Sequence, residues 1–196
     1  MAETIKQVEA IPASYPDIGQ SELGFAPTDD SWQRIESYIA HRFTPREVIW
    51  TVEGEGDWTP PLKPVTALSA EKWENGWVEV TLPEGPYGYC LPGDGPYRIT
   101  ATVGPEGVEV DGVTTYAVPT VVAKAAHRLT QYCLIQVDKD DYGRFTRLPE
   151  FAATSVRYSG EGENAAETEL ERPSTWIAKA MQNSGAADLL RPYRRA

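Results

Sequence analysis

Residues 46–53 read Arg-Glu-Val-Ile-Trp-Thr-Val-Glu, and this alternating stretch is the clearest secondary-structure signal in the chain. Val48, Trp50 and Val52 share one face, and polar residues interleave with them, Ile49 excepted. A period of two residues is typical of a strand with one buried face. Residues 46–53 are therefore predicted to form a strand.

Similar patterns continue to residue 118. The dipeptide Asn75-Gly76 lies between Trp73 and the apolar segment 77–82, which is a strong signal for a hairpin with a two-residue turn. Residues 97–103 alternate again and are followed by a Gly-Pro-Glu-Gly turn and residues 108–110, which predicts a second hairpin. Segment 46–118 is thus predicted to be a small antiparallel sheet of about four to six strands.

A helix is predicted on each side of this segment. Asp30-Ser31 opens the first, over residues 31–43, with Gln33 as a capping partner, and Pro45 stops it. Pro119-Thr120 opens the second, over residues 119–137, which carries a mostly apolar stripe.

These elements predict an α+β fold: a helical layer with an inserted small antiparallel β-sheet and an extended C-terminal arm ending in a helix. The predicted organisation has three parts, a core, an irregular arm and a terminal helix. They are residues 1–137 (N-terminal arm 1–28, helix 31–43, β-rich insertion 46–118, helix 119–137), residues 138–172, and residues 173–196 with their basic tail.

The charge is strongly acidic. The 196 residues carry 29 Asp and Glu against 18 Lys and Arg, a formal net charge of −11. Such a surface does not neutralise phosphates, so non-specific nucleic-acid binding is not expected. Positive charge is concentrated at the end of the chain, in Arg191, Arg194 and Arg195.

Localisation signals are lacking. The N-terminus shows no basic region followed by an apolar run, and no apolar stretch approaches the ~18 residues of a membrane span. The two cysteines, Cys90 and Cys133, do not form a disulfide framework, which favours a reducing compartment. We expect a soluble, intracellular protein.

We find no pattern that predicts catalysis. His41 and His127 each lack a second histidine or a carboxylate three or four residues on, so no metal site is predicted. Cys133 lies about 600° around and about 9 Å along the predicted helix from His127, too far for a nucleophile–base pair. No phosphate-binding glycine loop is present. We expect no catalytic residue, cofactor or metal, and therefore no enzyme.

Four tryptophans fall on or beside the predicted sheet: Trp50, Trp58, Trp73 and Trp77. They can serve as core or subunit-interface residues, which is the commoner use of tryptophan in a small sheet. The alternative is a sugar-binding platform on a non-viral carbohydrate-binding β module.

The C-terminal segment has two readings. A helix with Trp176, Ile177 and Met181, followed by Leu189-Leu190 and three arginines, can pack back on its own subunit. It can also dock on another protein, with the apolar residues in a groove and the arginines against an acidic rim.

Several stretches along most of the chain carry a resemblance to a known family. The residues concerned are Ile35–Ala40, Val48–Val52, Pro64–Leu68, Val118–Ala126 and Leu189–Arg195. The closing Leu-Leu-Arg-Pro-Tyr-Arg-Arg is the most diagnostic of these. In these stretches the chain resembles the head–tail connector adaptor (head-completion) family of tailed phages and gene transfer agents, and the gene transfer agent adaptor most.

The resemblance implies a structural virion protein at the capsid–tail junction, assembled in the bacterial cytoplasm. It implies a homo-oligomeric ring, typically a dodecamer, that docks to the portal protein, extends the DNA channel and receives the stopper or tail-completion protein. DNA passes without sequence-specific binding, and no membrane is involved. The alternative within virion assembly is a stopper or tail-terminator ring.

The predicted portal-binding set combines the residues matched by the resemblance with one from the helix pattern. It comprises Trp176, Ile177, Met181, Leu189, Leu190, Arg191, Pro192, Tyr193, Arg194 and Arg195.

Overall fold

The computed structural model describes residues 2–133, 155–159, 167–171 and 178–194. The chain divides into two units, each assembled from separate stretches. Unit 1 comprises Met1–Asp17, Glu36–Val118 and Tyr193–Ala196, and unit 2 comprises Ile18–Ile35 and Pro119–Pro192. The predicted irregular arm, apart from its two short strands, lies outside the described residues.

Unit 1 is built on a five-stranded antiparallel sheet. Its strands are Glu3–Glu9 (β1), Arg46–Glu53 (β2), Val65–Trp73 (β4), Trp77–Val80 (β5) and Tyr97–Val103 (β8), in the spatial order β1-β2-β8-β4-β5. A smaller sheet consists of Gly56–Trp58 (β3), Glu84–Gly85 (β6) and Gly88–Leu91 (β7), in the order β3-β7-β6.

The predicted alternation over 46–53 is confirmed. Val48, Trp50 and Val52 are fully buried, and Glu47 and Glu53 are exposed. The inward faces of β2 and β8 contribute most of the core of unit 1, which side chains from the smaller sheet and its loops complete. These core residues are Val48, Trp50, Val52, Trp58, Leu62, Ala70, Leu82, Leu91, Tyr97, Ile99, Ala101 and Val103.

The hairpin at Asn75-Gly76 is confirmed as well, with Trp73 opposite Trp77 and a positive φ of 60° at Asn75. The predicted two-residue turn is wrong, because residues 74–76 form a three-residue loop between the paired tryptophans. The second predicted hairpin is wrong. Strand β8 pairs with β2 and β4, because its regularly alternating buried face suits a central position. Val108–Val110 (β9) instead pairs with Val113–Thr115 (β10) around an Asp111-Gly112 turn.

Strand β1 lies in the segment that we predicted to be an irregular N-terminal arm. Its position follows from two buried indoles that need hydrogen-bond acceptors. The Trp50 indole N–H donates to Gln7 Oε1 and the Trp58 indole N–H donates to Thr4 Oγ1, both at 2.9 Å. The strand thus satisfies donors that lie more than 40 residues away in sequence.

The first helix, Asp29–Tyr38 (α1), is shorter than the predicted 31–43. The hydroxyl of Thr28 accepts the backbone N–H of Ser31 at 3.3 Å, so Thr28 rather than Asp30 caps its start. At its end, Arg42 Nη1 donates to the carbonyls of Glu36 (2.9 Å) and Ile39 (3.3 Å). The chain then leaves the helix, since His41 forms a β-bridge with Lys63.

Unit 2 contains the second long helix, Thr120–Cys133 (α2), whose apolar stripe is confirmed by the burial of Val122, Ala125 and Leu129. Two four-residue helices follow in the described part of the unit, Ala180–Asn183 (α3) and Ala186–Leu189 (α4), and then a 3-10 turn, Arg191–Tyr193. Ser155–Ser159 (β11) and Glu167–Glu171 (β12) pair with each other. The end of the predicted second helix, residues 134–137, lies outside the described residues.

The predicted fold class is wrong. We expected a helical layer with a small inserted sheet and a C-terminal helix, whereas the molecule is mostly β, with a five-stranded antiparallel sheet and two long helices. The buried faces of β2 and β8 give the sheet its own core, so it does not depend on a helical layer. Nowhere in the described residues is a helix long and apolar enough to span a membrane.

Candidate partner-binding site: the C-terminal segment and the pocket beside it

The last described residues of the chain are anchored in unit 1. The Tyr193 ring meets the His41 ring edge-on, with centroids 5.1 Å apart, and lies 6.4 Å from Phe43. The backbone N–H of Ala40 donates to the Tyr193 carbonyl at 3.0 Å. Tyr193 therefore holds the end of the chain beside the C-terminus of α1.

The preceding residues belong to unit 2, where Leu190 and Ala186 are fully buried. Met181 and Leu189 are half-buried, and Arg191 and Pro192 are exposed. Arg191 makes an ion pair of 3.4 Å with Asp188, although both side chains are about four-fifths exposed. Trp176, Ile177 and Arg195, also predicted to bind the partner, lie outside the described residues.

Next to Tyr193, unit 1 has a cavity of about 420 Å³. At the edge of this cavity, the Arg194 guanidinium is stacked over the ring of Tyr38, 4.7 Å from the ring centroid. The lining is mostly polar and consists of Gln7, Glu36, Ser37, Tyr38, Ile39, Arg42 and Arg194.

A group of four charged side chains, which we call the ion cluster, underlies this cavity: Glu9, Glu36, Arg42 and Arg46. Arg46 forms a bidentate pair with Glu36, at 2.6 and 2.8 Å, and also contacts Glu9 at 3.2 Å. Arg42 donates two hydrogen bonds to the Glu9 carboxylate, one of them at 2.8 Å. The cluster joins β1, α1 and the start of β2 and is electrically balanced.

The pKa values of the two carboxylates in the cluster are shifted in opposite directions. Burial would raise the pKa of Glu9, but the Arg42 and Arg46 guanidiniums outweigh it and hold that pKa below its ordinary value of 4.5. Burial is stronger at Glu36, only 4% exposed, and raises its pKa even though Arg46 partly compensates.

Arg194 has no carboxylate partner within the part of the chain that the structure describes. Because the ion cluster beneath it is balanced, Arg194 leaves a net positive charge at the edge of the cavity. A guanidinium that is exposed and already oriented by an aromatic ring suits a carboxylate from another molecule.

Both histidines are partly buried. Burial lowers the pKa of His41, with Lys63 and Arg42 acting in the same direction and the Tyr193 backbone opposing them. The Nδ1 atoms of His41 and His127 are buried and make no hydrogen bond within the described chain. Over those same residues no three His, Cys, Asp or Glu side chains are grouped to hold a metal ion.

The four sheet tryptophans do not form one surface. Trp50 and Trp58 are buried in the core of unit 1, whereas Trp73 and Trp77 are exposed at the β4–β5 hairpin. The rings of Trp73 and Trp77 are inclined at 71°, so they do not present the flat platform on which a sugar ring stacks.

Sequence reasoning identified Tyr193 and Arg194 but missed the ion cluster beside them. Arg42 and Arg46 are four residues apart, a spacing that on a continuous helix would have indicated two cations on one face. Nothing local connects them to Glu9, which lies more than 30 residues earlier. Only the pairing of β1 with β2 brings these charges together.

Comparison of the chain with protein-family models, with curated proteins and with solved structures found no significant match.

Proposed function

We propose that this protein is a head–tail connector adaptor, a structural subunit that forms a ring below a portal and binds it with its C-terminal segment. The observation that carries the proposal is the arrangement of that segment. Its apolar residues Leu190 and Tyr193 hold the chain end in place, and its exposed Arg191 and Arg194 offer positive charge. This fits the motif Leu189–Arg195, on which the family resemblance is strongest.

The residues proposed to contact the partner differ from those predicted from the sequence. The sequence analysis placed the apolar side chains in a groove of the partner. In the proposed arrangement, Arg191, Pro192 and Arg194 contact the portal, because they are exposed. Within unit 2 the buried Leu190 anchors the chain before Arg191, and within unit 1 Tyr193 anchors it before Arg194. The acidic balance of the rest of the chain supports a channel wall that repels DNA phosphates.

The test is binding to the portal protein of the same particle. We expect the full-length chain to bind it and the double variant Arg191→Glu/Arg194→Glu to lose at least about tenfold in affinity, since each reversal replaces an attraction by a repulsion. Lys6→Glu/Lys124→Glu is the matched control, because it makes the same charge change at two exposed lysines elsewhere.

Equal affinities of the two double variants would contradict docking through the C-terminal segment. Electron microscopy of the full-length chain, alone and with the portal, tests the ring separately. Binding to the tail tube in place of the portal would favour a stopper or tail-terminator ring instead.

A further inference from the structure

A second surface of unit 1 combines exposed aromatic rings with surplus negative charge. It lies at the β4–β5 hairpin, and we call its residues the hairpin patch: Glu71, Trp73, Trp77, Glu79 and Arg98. Trp73 is 48% exposed and Trp77 is 37% exposed. Large aromatic side chains are costly to leave in water and are enriched at binding surfaces.

The charges of the patch are not balanced. Glu71 and Glu79 stand directly opposite each other on the paired strands, an arrangement that destabilises a hairpin. Arg98 on β8 pairs with Glu71, with an Nη2–Oε2 distance of 2.6 Å, and so offsets part of this repulsion. Glu79 has no ion-pair partner among the described side chains, so one carboxylate is left beside the two indoles.

The patch already binds one cation by ring stacking. The Arg98 guanidinium lies over the Trp77 ring, 4.6 Å from its centroid. This contact uses the negative potential of the indole face. Trp73 offers a second indole on the same side of the hairpin, since residues 73 and 77 are a cross-strand pair like residues 71 and 79.

From these observations we propose that the hairpin patch binds an arginine-bearing segment of a partner protein. The incoming guanidinium stacks on Trp73 and pairs with Glu79, which relieves the repulsion between Glu79 and Glu71. Charge complementarity selects this occupant, because the patch combines a surplus carboxylate with a cation-binding aromatic surface. The inference does not rest on the proposed adaptor function.

The experiment follows the indole N–H signals of the full-length chain by two-dimensional NMR. The probe is the peptide acetyl-Gly-Arg-Gly-Arg-Gly-amide, and the same peptide with citrulline for arginine is the uncharged control. We expect the signals of Trp73 and Trp77 to move with the arginine peptide only. Those of Trp32, Trp50 and Trp58, which are buried, are expected to stay.

Two variants separate charge from fold. Glu79→Gln is expected to weaken peptide binding about three- to fivefold, and Glu109→Gln, the same change at an exposed residue of β9, is expected to leave it unchanged. Trp73→Leu retains an apolar side chain but removes the π face, so binding is expected to fall below detection, and the dispersion of the remaining signals reports whether the hairpin is still folded.

Any of three results would overturn the proposal: no movement of the Trp73 and Trp77 signals at millimolar peptide, an equal response to the citrulline peptide, or equal affinities of Glu79→Gln and Glu109→Gln. If the Trp73 and Trp77 signals moved with protein concentration alone, the patch would be assigned to contacts between copies of the chain. Movement with cellohexaose but not with peptide would assign it to a sugar. Either of these would also overturn it.

Discussion

Two groups of charged residues in unit 1 are built in opposite ways. In the ion cluster, two carboxylates and two guanidiniums are matched and hydrogen-bonded, three of the four side chains are buried, and they join three elements of the fold. In the hairpin patch, two carboxylates stand opposite each other, and two tryptophans remain exposed. Matched, buried charges define a structure, whereas unmatched charges beside exposed aromatic rings favour binding.

The difference is sharpest in what each group does to stability. The members of the ion cluster depend on one another, because a charge left alone in the interior is very unfavourable. The hairpin patch lowers stability slightly as it stands, through the Glu71–Glu79 repulsion. Stabilising substitutions are therefore expected in the patch and not in the cluster, as is common where function and stability compete.

The largest effect is expected when the ion cluster loses one guanidinium. Arg46→Leu leaves Glu36 buried without its bidentate partner and should lower the free energy of unfolding by about 3–5 kcal/mol. Urea denaturation followed by tryptophan fluorescence measures this. The double variant Glu36→Met/Arg46→Met removes both charges and should recover most of the loss.

Arg34→Leu is the matched control, since it breaks the exposed Arg34–Asp30 pair, which has an N–O distance of 2.9 Å. Its cost should stay below about 1 kcal/mol. If Arg46→Leu and Arg34→Leu had similar effects, the contrast between buried and exposed charges would not hold for this protein.

A smaller effect on the free energy of unfolding is expected when the pH is lowered. The pKa of Glu9 is lower in the folded chain than its ordinary 4.5, so below about pH 4.5 the unfolded chain binds more protons at this residue. The stabilisation from Glu9 is therefore fully present above that pH and is lost as the pH falls through the folded pKa. Glu36 acts in the opposite sense, since its pKa is raised.

Glu9→Gln tests this assignment. At pH 7 it should lower the free energy of unfolding by about 1.5–3 kcal/mol, because it removes the acceptor of charged hydrogen bonds. Below pH 4.5 its thermal unfolding should depend less on pH than that of the parent chain. Parallel pH profiles for the two proteins would exclude Glu9 as a source of the acid sensitivity.

The smallest change in the free energy of unfolding is expected at the hairpin patch, and there the substitution should increase stability. Glu79→Thr removes the repulsion across the β4–β5 pair and places a good strand former there, so it should raise stability by about 0.2–1 kcal/mol. Glu109→Thr, across from Thr114 in the β9–β10 hairpin, supplies the comparison. A Glu79→Thr variant no more stable than Glu109→Thr would mean that the opposed carboxylates are not strained.

Local patterns predicted the strands well where one face is buried. The alternation around Trp50 and that of residues 97–103 identified two central strands, and Asn75-Gly76 identified the turn between β4 and β5. Partner strands were harder, because residues 97–103 and 108–110 are adjacent in sequence but belong to different sheets. Strand pairing depends on which faces are covered, which a local pattern does not contain.

The candidate site was predictable only in part. The exposed arginines and Tyr193 were identified from the motif at the chain end, but the burial of Leu190 and the contact of Tyr193 with His41 were not. The end of the first helix was predicted five residues too far along the chain for a related reason. Its end is set by Arg42, which donates to its last carbonyls, and by the bridge between His41 and Lys63.

The amino-acid sequence by itself determined the strand content of segment 46–118, the tight turn at residue 75, the apolar stripe of α2 and the acidic character of the chain. Those properties depend on near neighbours and composition. Tertiary structure alone decided that β1 accepts the indole N–H groups of Trp50 and Trp58, and that Glu9 meets Arg42 and Arg46. Buried donors and charges must find partners, and in a folded chain those partners are close in space rather than in sequence.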